Sequence, residues 1–256
     1  NGGALMPALG DPIHTTLLRL TDPKSTHGIQ LQTDGDDSEG TLTMAGYETH
    51  EVKLDDGTVV ELSKPVFHID GKAETEISPR TPPAIIGAGL LEAVPDETIL
   101  ELAKKSSGEA RRVGEAIGRF GWKADQPTVD SQNQSALRED MGVEKLEPKA
   151  LKELEAYVSL LGVPPRTNPE QPDVVLGEKV FNALNCQECH TPTLRTGTSM
   201  FPELSKQTIH PFTDLLLHDM GEGLRDSGSS DLASKWRTAP LWALKNKRHA
   251  VDDQDD

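Results

Sequence analysis

Along the chain, apolar and polar residues follow two different periods. Between Tyr47 and Ile69 the period is two: Val52 and Leu54 alternate with Glu51 and Lys53, and Val60 and Leu62 with Val59 and Glu61. Asp56-Gly57 lies between the two runs, so the pattern predicts a β-hairpin, with Pro65 consigning the second arm to a sheet edge. Elsewhere the spacing is helical. Leu151, Leu154, Tyr157, Val158 and Leu161 share one side of a predicted helix over 148–161, stopped by Gly162. Ile99, Leu100 and Ala103 mark another, opened by Pro95-Asp96-Glu97. Ala84 to Ala93 forms an apolar helix whose Gly87 and Gly89 cost helix stability and point to close backbone packing. Val174, Gly177, Val180, Phe181 and Leu184 predict a helix from Asp173 to Asn185. The expected fold is mainly α with a small β-hairpin region.

Val163-Pro164-Pro165 through Pro172 reads as a stiff linker and sets the expected domain boundary. Residues 1–163 form a connecting region of hairpin and helices on this reading, and 173–256 a helical, cytochrome c-like domain on the C-terminal side. With 256 residues, two domains are affordable in size. The formal net charge of −16 argues against nucleic acid and anionic membrane surfaces as partners, and suits a basic protein partner. No apolar run is long enough to span a bilayer.

Candidate chemistry concentrates in one place. The only two cysteines are Cys186 and Cys189, and His190 follows the second. Cys-x-x-Cys-His is the attachment signature of a c-type haem: two thiols form thioethers to the porphyrin vinyls while the next imidazole ligates iron. Cys186, Cys189 and His190 are therefore the expected haem-binding residues, with His190 the metal ligand. A redox dithiol gives His190 no required role, and a βαβ context is missing. A zinc or purely structural module has only three obvious ligands where structural zinc needs four. Gly177 and Phe181 suit a close helix crossing in front of the haem. Pro192 or Pro202 could offer a carbonyl to the His190 Nδ1–H.

Several blocks resemble the bacterial di-haem oxidoreductases, often labelled thiol oxidoreductases or peroxidases and related to di-haem cytochrome c peroxidases. They are Ser78-Pro79-Arg80, Gly89-Leu90-Leu91-Glu92-Ala93, Gly118-Arg119-Phe120-Gly121-Trp122-Lys123-Ala124, Asp214 to Gly221, and Lys235-Trp236-Arg237-Thr238-Ala239-Pro240-Leu241-Trp242. The resemblance implies two covalent haems in the complete protein, one of them held by this chain. It also implies that the chain is an incomplete member, lacking the N-terminal haem motif and the closing C-terminal helix. Met220 is the candidate distal ligand, ahead of Met200, His210 and His218. His218 and Asp219 could instead fix the haem pocket by hydrogen bonding. Arg119, Lys123, Arg225, Lys235 and Arg237 are candidates for pairing with propionates.

These readings converge on an electron-transfer haem protein that is part of a di-haem oxidoreductase and exchanges electrons with a redox partner. The alternative is a peroxidase-like enzyme whose catalytic haem lies outside this sequence. Covalent haem is fitted outside the bacterial inner membrane, so the expected location is the periplasm.

Overall fold

A computed structural model describes residues 17–19, 30–32, 42–69, 78–80, 83–139, 141, 143, 145–226 and 230–244. The loop expected at 1–11 and the acidic end at 252–256 lie outside them. Two compact units divide the chain. One gathers Asn1–Pro82, Glu139–Gly142 and His249–Asp256; the other gathers Pro83–Arg138 and Val143–Arg248. The linker expected at 163–172 runs inside the second unit.

In the first unit, β1 (Leu17–Arg19) pairs antiparallel with β2 (Gln30–Gln32) and also with a later strand, β5 (Ser78–Arg80). The predicted hairpin is present and longer than its alternation suggested: β3 (Leu42–Lys53) pairs with β4 (Val59–Ile69) from Leu42↔Ile69 to Lys53↔Val59. Its turn is closed as the sequence implies, with Gly57 at φ 88° and the Thr58 amide donating to the Asp56 carboxylate at 2.8 Å. A bulge falls between Met44 and Gly46.

The second unit carries α1 (Ala88–Glu92), α2 (Asp96–Lys105), β6 (Arg112–Val113), β7 (Ala116–Ile117), α3 (Val129–Glu139), α4 (Pro148–Ser159) and α5 (Pro172–Ala183). The pairs β8 (Leu194–Arg195) with β9 (Thr208–Ile209), and β10 (Leu217–Asp219) with β11 (Lys235–Arg237), follow. Its core joins Leu91, Val94, Ile99, Ile117, Phe120, Val158, Leu194, Leu215 and Leu216. Each such side chain contributes about 1.5–3 kcal/mol on burial. Close packing explains Gly89, where a Cβ would sit 2.3 Å from the Ser159 carbonyl oxygen, so α1 lies directly on the end of α4.

Two buried cations tie the loops of this unit together. Arg119 donates to the carbonyls of Glu92 at 2.7 Å and Val94 at 2.6 Å, where α1 leaves carbonyls without helical partners, and it pairs with Asp96. Lys123 donates to the carbonyls of Leu232, Ala233 and Lys235 at 2.9, 3.0 and 2.8 Å. Its ammonium also lies 3.5 Å over the Trp236 ring and 3.8 Å from Asp226.

The fold class differs from the expectation of a mainly α chain with one hairpin. Among the described residues, five α-helices stand beside eleven strands in one three-stranded and four two-stranded antiparallel sheets. The architecture is mixed. A helical, cytochrome c-like C-terminal side is not seen either: beyond α5 the described residues form 3₁₀ turns and β8–β11. The reason is length and burial. Strands of two or three residues are too short to display alternation, and the Leu215-Leu216-Leu217 run is buried on every side, so no period of two survives.

Candidate haem-attachment site

The site begins where α5 ends. Pro172 sits in its first turn, where a missing amide hydrogen costs nothing, and Leu184 caps it. Asn185 then adopts the left-handed conformation at φ 57°, its amide donating to the Asn182 carbonyl at 3.1 Å. Asn tolerates this conformation better than most residues, and the reversal throws the chain into the 3₁₀ turn Cys186–Glu188. The His190 amide closes the motif on the Cys186 carbonyl at 2.9 Å. Both cysteines are free thiols and half-buried.

His190 is oriented by its neighbours. Its Nδ1 lies 2.8 Å from the Phe212 carbonyl oxygen. A carbonyl only accepts, so Nδ1 carries the proton and Nε2 keeps its lone pair for a ligand. The sequence pointed to Pro192 or Pro202 as the source of that carbonyl; the structure assigns it to Phe212. Phe212 holds φ at 53°, a costly conformation for an aromatic residue, and its carbonyl reaches His190 from there. Phe181 from α5 meets both rings edge-on, at 5.7 Å from Phe212 and 6.4 Å from His190 between centroids. Phe181 thus packs against the site, but the close helix crossing expected at Gly177 is not observed: nothing lies within 4 Å of where its Cβ would be.

The segment Thr213 to His218 is buried. Asp214 accepts the Leu216 amide at 3.0 Å on one oxygen and faces His218 Nε2 at 2.7 Å with the other. His218 Nδ1 lies 3.5 Å from Cys189 Sγ. Burial pushes the Cys189 thiol above its usual pKa, with the negative charges of Asp214 and Glu188 adding to the shift. That disfavours the thiolate a redox dithiol or cysteine nucleophile needs.

The remaining candidates are dispersed or committed. Met220 and Met200 are exposed, and exposed His210 bonds Thr193 Oγ1 through Nδ1 at 3.0 Å. Arg119 and Lys123 are consumed by backbone carbonyls, as above. Arg225 pairs with Glu222 at 3.1 Å, and Lys235 with Glu109. Arg237 donates to the Gly121 carbonyl at 2.8 Å; burial of its guanidinium lowers its pKa to about 10, which leaves it charged at neutral pH. The resemblance had singled out Asp219, which accepts the Gly221 amide at 2.9 Å and faces solvent. Asp214 and Phe212 were not singled out. Asp214, four residues before His218 within a run of leucines, was the available signal, since a lone carboxylate in an apolar run needs a buried partner.

The donor set suits a c-type haem. Two free thiols, an imidazole with Nε2 open and Nδ1 tied, and apolar side chains standing exposed on α5 are what such a group requires. Among the described residues, no three His, Cys, Asp or Glu side chains converge as a metal-ion cluster. No helix among the described residues is long and apolar enough to cross a membrane.

Residues 148–254 match the family model described as "Di-haem oxidoreductase, putative peroxidase", a stretch that contains α4, α5, the Cys186–His190 motif and the β10–β11 pair. The matched family is the one the sequence blocks resemble, and the match supports a haem-related redox role. No curated protein and no solved structure matches the chain.

Proposed function

We propose that this chain holds one c-type haem through Cys186 and Cys189, with His190 as the proximal ligand, and passes single electrons within a di-haem oxidoreductase. The observation that carries the reading is the His190 Nδ1 contact to the Phe212 carbonyl beside two free thiols. It fixes the tautomer, keeps the Nε2 lone pair for a ligand and strengthens its donation. Bound haem supplies a one-electron iron couple. The chain's own part is to bind and orient. Cys186 and Cys189 fix the ring in place, Phe181 packs edge-on against the imidazole that Phe212 holds, and Leu176 and Val180 of α5 with its cap Leu184 offer apolar cover.

The second haem named by the family is assigned to sequence other than this motif, since the chain has two cysteines only. Peroxide chemistry needs an acid–base group free to face the iron. His218 stands against the motif and is engaged by Asp214 and Cys189, so these residues support electron transfer in preference to peroxide turnover. The acidic surface suits a basic redox partner, and covalent attachment suits the periplasm.

The test is expression with a cytochrome c maturation system, followed by a pyridine haemochrome spectrum and an anaerobic redox titration. One covalent haem per chain with reversible one-electron redox is expected, together with slow bleaching rather than turnover on peroxide. A chain that leaves the system without covalent haem overturns the proposal.

A further inference from the structure

We propose that the buried pair Asp214–His218 is a positioning device that aims the Cys189 thiol for haem attachment and does nothing for Cys186. This rests on the reading of Cys186, Cys189 and His190 as a c-type haem site.

Thioether formation adds the Cys189 S–H across a vinyl double bond of reduced haem. One S–C and one C–H bond form, the S–H bond and the vinyl π bond are lost, and no electrons enter or leave. What the protein must supply is the direction of the sulfur. His218 Nδ1 stands 3.5 Å from Cys189 Sγ, within reach of a thiol hydrogen bond. Nδ1 accepts because Nε2 is the donor: it faces the Asp214 carboxylate at 2.7 Å, and that carboxylate is itself held by the Leu216 amide. Thiol, imidazole, carboxylate and backbone amide thus form one directed chain.

The chain is anchored on every side. Gly108 packs against the imidazole, where a Cβ would lie 2.7 Å from both Cε1 and Nε2. Leu217, the residue before His218, exchanges two backbone bonds with Glu109 at 2.8 and 2.9 Å on one edge and pairs with Arg237 of β11 on the other. His218 therefore has little freedom to swing, and Cys189 is held with it. No such hydrogen bond reaches the Cys186 sulfur among the described residues, although that residue is equally half-buried. The asymmetry has a use. Two thiols three positions apart must each meet a different vinyl, and fixing one sulfur first limits the orientations in which the ring can be taken up.

The experiment uses the full chain matured with haem, in two single-cysteine backgrounds. In Cys186→Ser, attachment proceeds only through Cys189, and adding His218→Leu or Asp214→Asn is expected to cut covalent haem about tenfold. In Cys189→Ser, the same substitutions are expected to leave the yield through Cys186 unchanged. His218→Asn, whose amide oxygen replaces Nδ1 as acceptor, should recover part of the loss. Intact mass gives the covalent fraction, and the haemochrome band position reports an unreacted vinyl. Undiminished attachment in the Cys186→Ser background overturns the inference and leaves the haem site standing. Equal loss in both backgrounds, as misfolding would give, also overturns it. Absence of covalent haem from the unmutated chain overturns the inference and the haem reading together.

Discussion

The Cys186–His190 turn adjoins two stretches built on opposite lines. On one side, Leu215, Leu216 and Leu217 are at most 1% exposed, and the segment bonds Glu109 along one edge and β11 along the other. On the other side, α5 buries no residue at all, and Leu176 and Leu184 stand 59% and 70% exposed. The contrast assigns the work. A finished wall can hold a thiol and two imidazoles in place, because close packing lets none of its atoms move alone. A helix with an apolar face still in water has surface to place on a flat hydrophobic ligand, and on the proposed function binding such a ligand stabilises it. On the proposed function, position comes from the strand side and cover from the helix side.

The comparison breaks most visibly at the buried cations of the finished side. Lys123→Met leaves the carbonyls of Leu232, Ala233 and Lys235 without their donor. A loss of about 3–5 kcal/mol in denaturant unfolding is expected, and less than 1 kcal/mol would mean that this wall is held some other way. Next in size is Leu216→Ala, which empties a position with no exposed surface and should cost about 2–5 kcal/mol.

On the helix side the same kind of change should depend on haem. Leu184→Ser should alter the stability of haem-free protein by no more than about 0.5 kcal/mol. In haem-loaded protein it should cost about 1–2 kcal/mol, because the residue is then covered. Equal costs in both forms, read from thermal melts of the two preparations, would remove the distinction between the walls.

The smallest effect is electrostatic. Burial raises the Glu92 carboxyl above its ordinary pKa, while the amide of Val129 pulls the other way. A folded-state pKa above the unfolded one favours the protonated form. Its contribution is complete below the unfolded value and is lost as pH rises through the folded value. Glu92→Gln keeps an acceptor for Val129 and cannot ionise, so its stability should match the parent near pH 4 and exceed it by about half a kcal/mol or less at pH 7. An advantage at the acid end instead would reverse the assigned cause.

Helices and the long hairpin were legible in the sequence because their periods are long enough to see. The spacing of Val174 to Leu184 gave α5 within two residues, and Asp56-Gly57 gave the hairpin turn. The Cys186-x-x-Cys189-His190 motif stands out in the sequence because its residues are adjacent. The wall behind it was not. Its strands run three residues, and the contact from Asp214 through His218 to Cys189 joins positions 29 apart that no local pattern links. The carbonyl that orients His190 comes from Phe212, whose left-handed backbone has no sequence signature, since glycine or asparagine is the usual choice there. Arg119 and Lys123 looked like cofactor ligands because their block carries glycines and aromatics. They turned out to hold backbone carbonyls, a role that depends on which chain ends meet in space.

The central claim is covalent haem on this motif, and one measurement meets it directly. The full chain and its Cys186→Ser, Cys189→Ser double variant are matured side by side, denatured, and weighed by intact mass spectrometry. The account predicts a gain of one haem on the unmutated chain and none on the variant. The bare polypeptide mass for both, or the same haem signal on both, would contradict it.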